Sequence, residues 1–195
     1  MNYLAHLLCS SGSPDFLLGN VIADLVKGRV EGRFPPGVVE GIRHHRRLDA
    51  FTDGHESFLA SRQLISARRR RYAGIIVDVV YDHFLVLDWD RYAAEELDEF
   101  VARVYGHLGR HAGPLPDEVR MVIGTMIRED WLRSYRTVDG LDRTFRRMSA
   151  RLWWENPLGT AVEELEANAA ALHRHFQRFV PDLLAYVQAG QVAAG

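Results

Sequence analysis

Asp78 and Asp82 stand four residues apart in Ile75-Ile76-Val77-Asp78-Val79-Val80-Tyr81-Asp82-His83-Phe84-Leu85-Val86-Leu87, an otherwise almost wholly apolar stretch, and His83 follows at once. Such a run predicts a helix buried on most sides. Carboxylates at i and i+4 share one helical face and repel each other. Burying one of them unpaired costs several kcal/mol unless its pKa shifts or a cation neutralises it. A bound metal ion resolves the conflict; a buried Asp–Arg pair is the alternative in so arginine-rich a chain. Further ligand candidates are His6, Asp24, His44, His45, Asp49, Asp53 and His55. His45, Asp49 and Asp53 are spaced i, i+4, i+8 and line one face if their helix persists. Mixed His and Asp donors without thiolate favour Mn, Fe, Mg or catalytic Zn. Such a site activates water and polarises a phosphoryl oxygen, the logic of metal-assisted phosphoester hydrolysis. The bland readings stay open beside it: His44 as a solvated residue, His55 and Asp53 as cap or turn residues, Asp49 as a partner of Arg46.

The elements that must position these groups all read as helices punctuated by Pro and Gly. A short N-terminal helix carries Leu4, Leu7 and Leu8 beside His6. Ser-Gly-Ser-Pro at 11 to 14 is a turn with Ser13 as N-cap and Pro14 at the first helical position. The second helix reaches Gly28 with Asp24 inside it. The third runs from about Val38 to Phe51, and the fourth, from 57 to 70, ends in the run Arg68 to Arg71. The Asp78–Asp82 helix follows. Beyond it, 91 to 110 is amphipathic through Leu97, Phe100, Val101, Val104 and Leu108. The break Gly113-Pro114-Leu115-Pro116 precedes a helix from Asp117 to about Tyr135, and another spans 140 to 152. The last, from Thr160, carries a stripe of Val162, Leu165, Ala169, Leu172, Phe176 and Phe179, with a kink or restart at Pro181. The expectation is a single all-α domain of about eight helices over residues 1–195.

Composition agrees with a globular protein of ordinary core: 195 residues, 47% hydrophobic, 26% charged, formal net charge −2. Cys9 is the only cysteine, which excludes an intramolecular disulfide and fits a reducing compartment. The N-terminus lacks a basic segment and a long apolar run, so the chain reads as soluble and cytoplasmic, without membrane contact. Lys27 is the only lysine against 23 arginines. Coding bias accounts for much of that, but two groups remain. Arg68, Arg69, Arg70 and Arg71 form a compact basic helix end. Arg143, Arg146, Arg147 and Arg151 share a helix face. Each is either a solvated cationic surface or a landing patch for an acidic partner. Nucleic acid is not expected as that partner, since no groove-reading or stacking motif is present. There is no P-loop, dinucleotide turn or Gly-x-Ser-x-Gly elbow.

Several motifs, in order, resemble the acyl carrier protein phosphodiesterases: Met1-Asn2-Tyr3-Leu4-Ala5-His6-Leu7, Gly19-Asn20-Val21-Ile22-Ala23-Asp24-Leu25-Val26-Lys27-Gly28, Phe34-Pro35-Pro36 with Val38 to Ile42, His45-Arg46-Arg47-Leu48-Asp49 with Thr52-Asp53, and Asp78-Val79-Val80-Tyr81-Asp82-His83-Phe84-Leu85. Weaker echoes are Trp131-Leu132, Tyr135-Arg136 and Met148 to Arg151. The resemblance implies a divergent branch of the HD-type phosphohydrolases, a helical bundle that removes 4′-phosphopantetheine from holo-acyl carrier protein with a divalent metal, Mn2+ before Mg2+ or Fe2+. HD proteins place His directly before Asp, whereas here the order is Asp82-His83, and Ala23 precedes Asp24 where a His would stand. Asp24, His45, Asp82 and His83 are the leading ligands, with His6, Asp49 and Asp53 behind them and Asp78 in support. Asp24 and Asp78 count among the catalytic residues, a second carboxylate beside the metal ligands orients the water, Lys27 or Arg46 compensates phosphoryl charge, and the two arginine groups dock the acidic carrier. The competing expectations are a hydrolase of nucleotides or other small phosphoesters, and a non-catalytic helical module for acidic partners.

Overall fold

The computed structural model describes residues 2–10, 13–113 and 115–192. Ser11, Gly12 and Pro114, on which two of the predicted turns fall, lie outside them. Among the described residues the architecture is all-α, with ten helices and no strand: α1 (Tyr3–Leu8), α2 (Pro14–Ile22), α3 (Pro36–Gly54), α4 (Glu56–Leu64), α5 (Ala73–Leu87), α6 (Leu97–His111), α7 (Asp117–Arg128), α8 (Trp131–Ser134), α9 (Val138–Ala150) and α10 (Val162–Val192). Short 3-10 turns occupy Ala23–Leu25, Ala67–Tyr72, Trp89–Arg91 and Pro157–Thr160. No described helix is long and apolar enough to cross a membrane. The chain divides into two compact units, one of residues 3–49 and 88–133, the other of 1–2, 50–87 and 134–195.

In the first unit α2 packs on α1 and α6, and α6 on α7. Ser13 caps α2, its Oγ accepting the Phe16 N–H at 3.3 Å with Pro14 next in line. That cap and the buried stripe Leu97, Phe100, Val101, Val104 and Leu108 of α6 match the sequence reading. α2 stops earlier than its periodicity suggests. It tightens into the 3-10 turn that holds Asp24, then leaves through Gly28, at φ 76°, a conformation that favours glycine. α2 and α3 approach backbone to backbone. A Cβ on Gly19 would strike the Val38 carbonyl, and one on Gly41 the Phe16 carbonyl. The helix expected from Asp117 to Tyr135 is two, broken where Asp130 takes φ 49°.

The second unit is built on α5, with α4, α9 and α10 packed against it. Its core gathers Phe58, Tyr81, Phe176 and Phe179. The Tyr81 hydroxyl lies 2.8 Å from Ser61 Oγ, which in turn lies 3.0 Å from His175 Nδ1. α10 continues through Pro181 instead of restarting there. α4 ends at Leu64, so the four arginines lie on a separate 3-10 turn and not on the end of a long helix.

Candidate metal centre

Within the first unit, three elements bring His6, Asp24, His45 and Asp49 together. His6 comes from α1, Asp24 from the turn after α2, and His45 and Asp49 from successive turns of α3. The imidazoles of His6 and His45 stack nearly parallel, with centroids 3.7 Å apart and planes at 6°. Asp49 receives both: His6 Nε2 lies 3.0 Å from Oδ1 and His45 Nε2 3.1 Å from Oδ2. His45 Nε2 also lies 3.2 Å from Asp24 Oδ1. Both histidines are 2% exposed, whereas 61% of the Asp24 side chain faces water. The cluster is therefore closed on the histidine side and open at Asp24.

Asn20, fully buried on α2, fixes the orientation of His45. Its Nδ2 donates to the His6 carbonyl at 2.9 Å and to Ser10 Oγ at 2.5 Å, so its Oδ1 is left to accept. The group it accepts from is His45 Nδ1–H, at 3.0 Å. Proton inventory then directs the Nε2 of His45 at the carboxylates. A second-sphere amide that sets a ligand's tautomer is a regular feature of metal-binding histidines. The sequence reading passed over Asn20 because it carries no charge. The available signal was its place four residues before Asp24.

The electrostatics follow from this packing. Burial alone would lower the His45 pKa, but its bonds to Asp24 and Asp49 prevail and push it up to about 9. Burial lowers His6 to about 3, only partly offset by Asp49, and its Nδ1 has no hydrogen-bond partner. Burial opposes ionisation of Asp49, yet the hydrogen bonds from His45 and His6 hold its carboxyl well below the usual carboxylate range. Asp24 is likewise held below its usual value, desolvation being outweighed by the bond from His45.

These residues fit a divalent cation. Without one, His45 must carry protons on both nitrogens to sit between two carboxylates, and a cation is the chemical substitute for the Nε2 proton. Among the described residues, His6, His45 and Asp49 are the one group of three or more potential ligands whose donor atoms lie within 4.8 Å of one another. Spacings of 3.0 and 3.1 Å are those of adjacent ligands on an ion with bonds of about 2.1 Å. Two imidazoles with carboxylates suit Mn, Fe or Zn better than an all-oxygen Ca site.

The other predicted residues have different places. Asp53, one turn beyond Asp49, and Lys27 are exposed. Arg46 donates to the carbonyls of Val26 at 2.9 Å and Gly28 at 3.2 Å, so it braces the loop after Asp24. His44 bonds the Cys9 carbonyl at 3.0 Å, and His55 caps α4 by accepting the Ser57 N–H. Asp78, Asp82 and His83 belong to the second unit. There Asp82 is fully buried, Asp78 half-buried, and His83 Nδ1 donates to the Tyr135 carbonyl at 2.6 Å. Burial lowers the His83 pKa, favouring the neutral ring.

The arginine groups need one correction. Arg69 is 4% exposed and serves as an internal strut, pairing with Glu164 at 2.8 Å and Glu163 at 2.5 Å and bonding the Pro157 carbonyl at 3.1 Å. It is absent from the surface that Arg68, Arg70 and Arg71 present. Arg70 folds back on the carbonyls of Arg62 and Gln63. On α9, Arg146 pairs with Asp142 at 2.6 Å, Arg147 bonds Thr144 Oγ1 at 3.2 Å, and Arg143 and Arg151 are exposed.

Comparison with known proteins adds an independent finding. Residues 1–183 match the family model described as acyl carrier protein phosphodiesterase. A relative from Photorhabdus laumondii, named acyl carrier protein phosphodiesterase, is 32% identical over 94% of this chain and 93% of its own. Relatives of the same name from Escherichia coli O157:H7 and Serratia proteamaculans are each 33% identical, over 95% and 94% of this chain and 96% of theirs. No solved structure matches the chain.

Proposed function

The chain belongs to the acyl carrier protein phosphodiesterase family, and from that premise we propose that it is a metal-dependent phosphodiesterase releasing 4′-phosphopantetheine from holo-acyl carrier protein. The observation that carries this reading is the family match over nearly the whole chain. The His6–His45–Asp49 cluster supports the metal dependence. In this reading His6, His45 and Asp49 hold a divalent ion, Mn2+ foremost. The ion supplies Lewis-acid polarisation of a phosphoryl oxygen and makes water a competent nucleophile at neutral pH.

The chain's own residues do the rest. Asn20 keeps the His45 proton on Nδ1, so Nε2 faces the cluster. Asp24, ionised and solvent-facing, orients the attacking water and accepts its proton. Water attacks phosphorus as Asp24 takes its proton, the bond from phosphorus to the carrier's serine oxygen breaks, and that oxygen leaves as the hydroxyl by taking the proton from Asp24. Lys27, exposed three residues beyond Asp24, compensates charge on the phosphoryl oxygens, while Arg46 holds the intervening loop. The exposed arginines of the second unit attract the carrier, a small acidic protein, and raise its encounter rate.

The test is mass spectrometry of holo-carrier protein incubated with the protein and Mn2+. The expected result is loss of the phosphopantetheine mass from the carrier, abolished by chelator and by H45A. Hydrolysis of nucleotides or simple diesters with an untouched carrier would replace this reading by that of a small-phosphoester hydrolase. A protein that binds the carrier but takes up no metal would make it a helical binding module.

A further inference from the structure

Trp153 is 92% exposed, the most exposed of the large hydrophobic residues among those described. A tryptophan so placed is unusual because its ring carries a large apolar area into water. The loop that bears it is well tied. Asn156 Nδ2 donates to the carbonyls of Trp154 at 3.0 Å and Ser149 at 3.2 Å, and its Oδ1 accepts the Leu158 N–H at 3.1 Å and the Ser149 hydroxyl at 2.9 Å. Trp154 is fastened as well, its Nε1 donating to the Tyr72 hydroxyl at 3.0 Å, and Trp153 meets it edge to face with centroids 5.3 Å apart. The exposed indole thus stands on a fixed pedestal and does not hang from a loose loop.

The surroundings are cationic. The Arg71 guanidinium lies 6.0 Å from the Trp154 ring centroid. Arg143, Arg147 and Arg151 succeed one another at four-residue spacing along α9 and its C-terminal cap, and the row ends two residues before Trp153. Glu155 is the exposed acid nearest in sequence. A rigid aromatic beside arginines is the composition of an interface hot spot, in which ring and guanidinium carry most of the affinity. Its chemical complement is an apolar side chain set among carboxylates.

We propose that Trp153, set edge to face on Trp154 with Arg71 over that second ring, is the anchor that seats the acidic carrier protein, its indole covering an apolar side chain of the carrier while the exposed arginines of the same stretch meet the carboxylates around it. The partner's identity rests on the proposed function, so binding is read separately from turnover. Fluorescein-labelled apo-carrier protein, which has no bond to cleave, is titrated with the full-length protein and with W153A, W153F and R151E, followed by anisotropy at two salt concentrations. Expected are at least tenfold weaker binding by W153A, partial recovery in W153F, and a shallower salt dependence in R151E. In turnover of holo-carrier protein, W153A is expected to raise KM with kcat unchanged and to leave hydrolysis of a simple aryl phosphodiester untouched.

Equal binding by wild type and W153A overturns the anchor. So does a wild type that sediments as a dimer and a W153A that does not, since a second copy is then the occupant. So does equally tight binding of an acidic oligonucleotide of similar charge. If wild type binds the apo-carrier through Trp153 but releases no phosphopantetheine from the holo form, the anchor stands and the proposed activity falls.

Discussion

Asp49 accepts two stacked imidazoles, yet only one of them is charged. His45 carries a proton because two carboxylates face its Nε2, while His6, equally buried, has one carboxylate oxygen and no partner on Nδ1. Stability of the metal-free protein should reflect this asymmetry. The His45 pKa is raised from 6.5 to about 9, so its contribution is complete below about pH 6.5 and is lost as pH rises through 9. For His6, lowered to about 3, the sign reverses, and stability falls as pH drops from 6.5 towards 3. Asp49, also depressed, adds to that acid loss. Denaturation midpoints of the chelated protein should therefore peak near pH 6 to 7 and decline on both sides, and H45Q should abolish the alkaline decline. Asn20 offers a second prediction. N20L keeps the branched shape but deletes the acceptor for Nδ1–H, and Mn2+ affinity by calorimetry should fall about 10- to 100-fold. At this scale the sequence was partly legible. His45 and Asp49 are visible from i, i+4 spacing, and Asp24 from its motif. His6 and Asp49 ranked behind Asp24, His45, Asp82 and His83; a lone histidine on a short apolar helix resembles a core residue, and an acid one turn from an arginine resembles its ion-pair partner. Asn20 escaped because a search for titratable groups does not register an amide.

Helix contacts decide whether these residues meet. The α2–α3 crossing has no side-chain padding at Gly19 and Gly41, where any Cβ would meet a backbone carbonyl. Backbone cannot yield by a rotamer change, so G41A must move α3 away from α2 and with it His45 from Asn20. The expected outcome is a loss of about 2 to 4 kcal/mol in urea unfolding together with weakened metal binding, whereas G54A, with open space around it, should be neutral. In the second unit Arg69 ties the 3-10 turn Ala67–Tyr72 to the start of α10. R69A leaves Glu164, 3% exposed, without its guanidinium. Removing one partner of a buried pair costs about 3 to 5 kcal/mol, and R69A/E164Q should recover part of it. Helix α6 was legible in the sequence because its apolar period is strong, although it starts at Leu97 and not at 91. The Arg69 pairing was not, since four consecutive arginines look alike and the acids that distinguish one of them lie 94 and 95 residues away.

Each of the two compact units is assembled from separated stretches of chain. Residues 50–87 and 134–192 build one of them, and the other takes 88–133 to complete what 3–49 begin. A fragment of residues 1–87 therefore contains His6, Asn20, Asp24, His45 and Asp49 but not α6, which packs on α2. It should unfold without a cooperative transition and show no stoichiometric Mn2+ binding, as circular dichroism and calorimetry would read. The all-α class was legible from period and punctuation, whereas this interleaving was not, because helical periodicity names a buried face without naming what covers it. The same arrangement has a consequence during synthesis. All five residues of the cluster leave the ribosome within the first 49, but α6 follows only after a stretch that belongs to the other unit. At about 5 to 20 residues per second, the nascent chain carries these histidines and carboxylates for several seconds before α6, which packs on α2, is made. The site is spelled early and assembled late, so metal loading belongs to a chain that has already delivered α6.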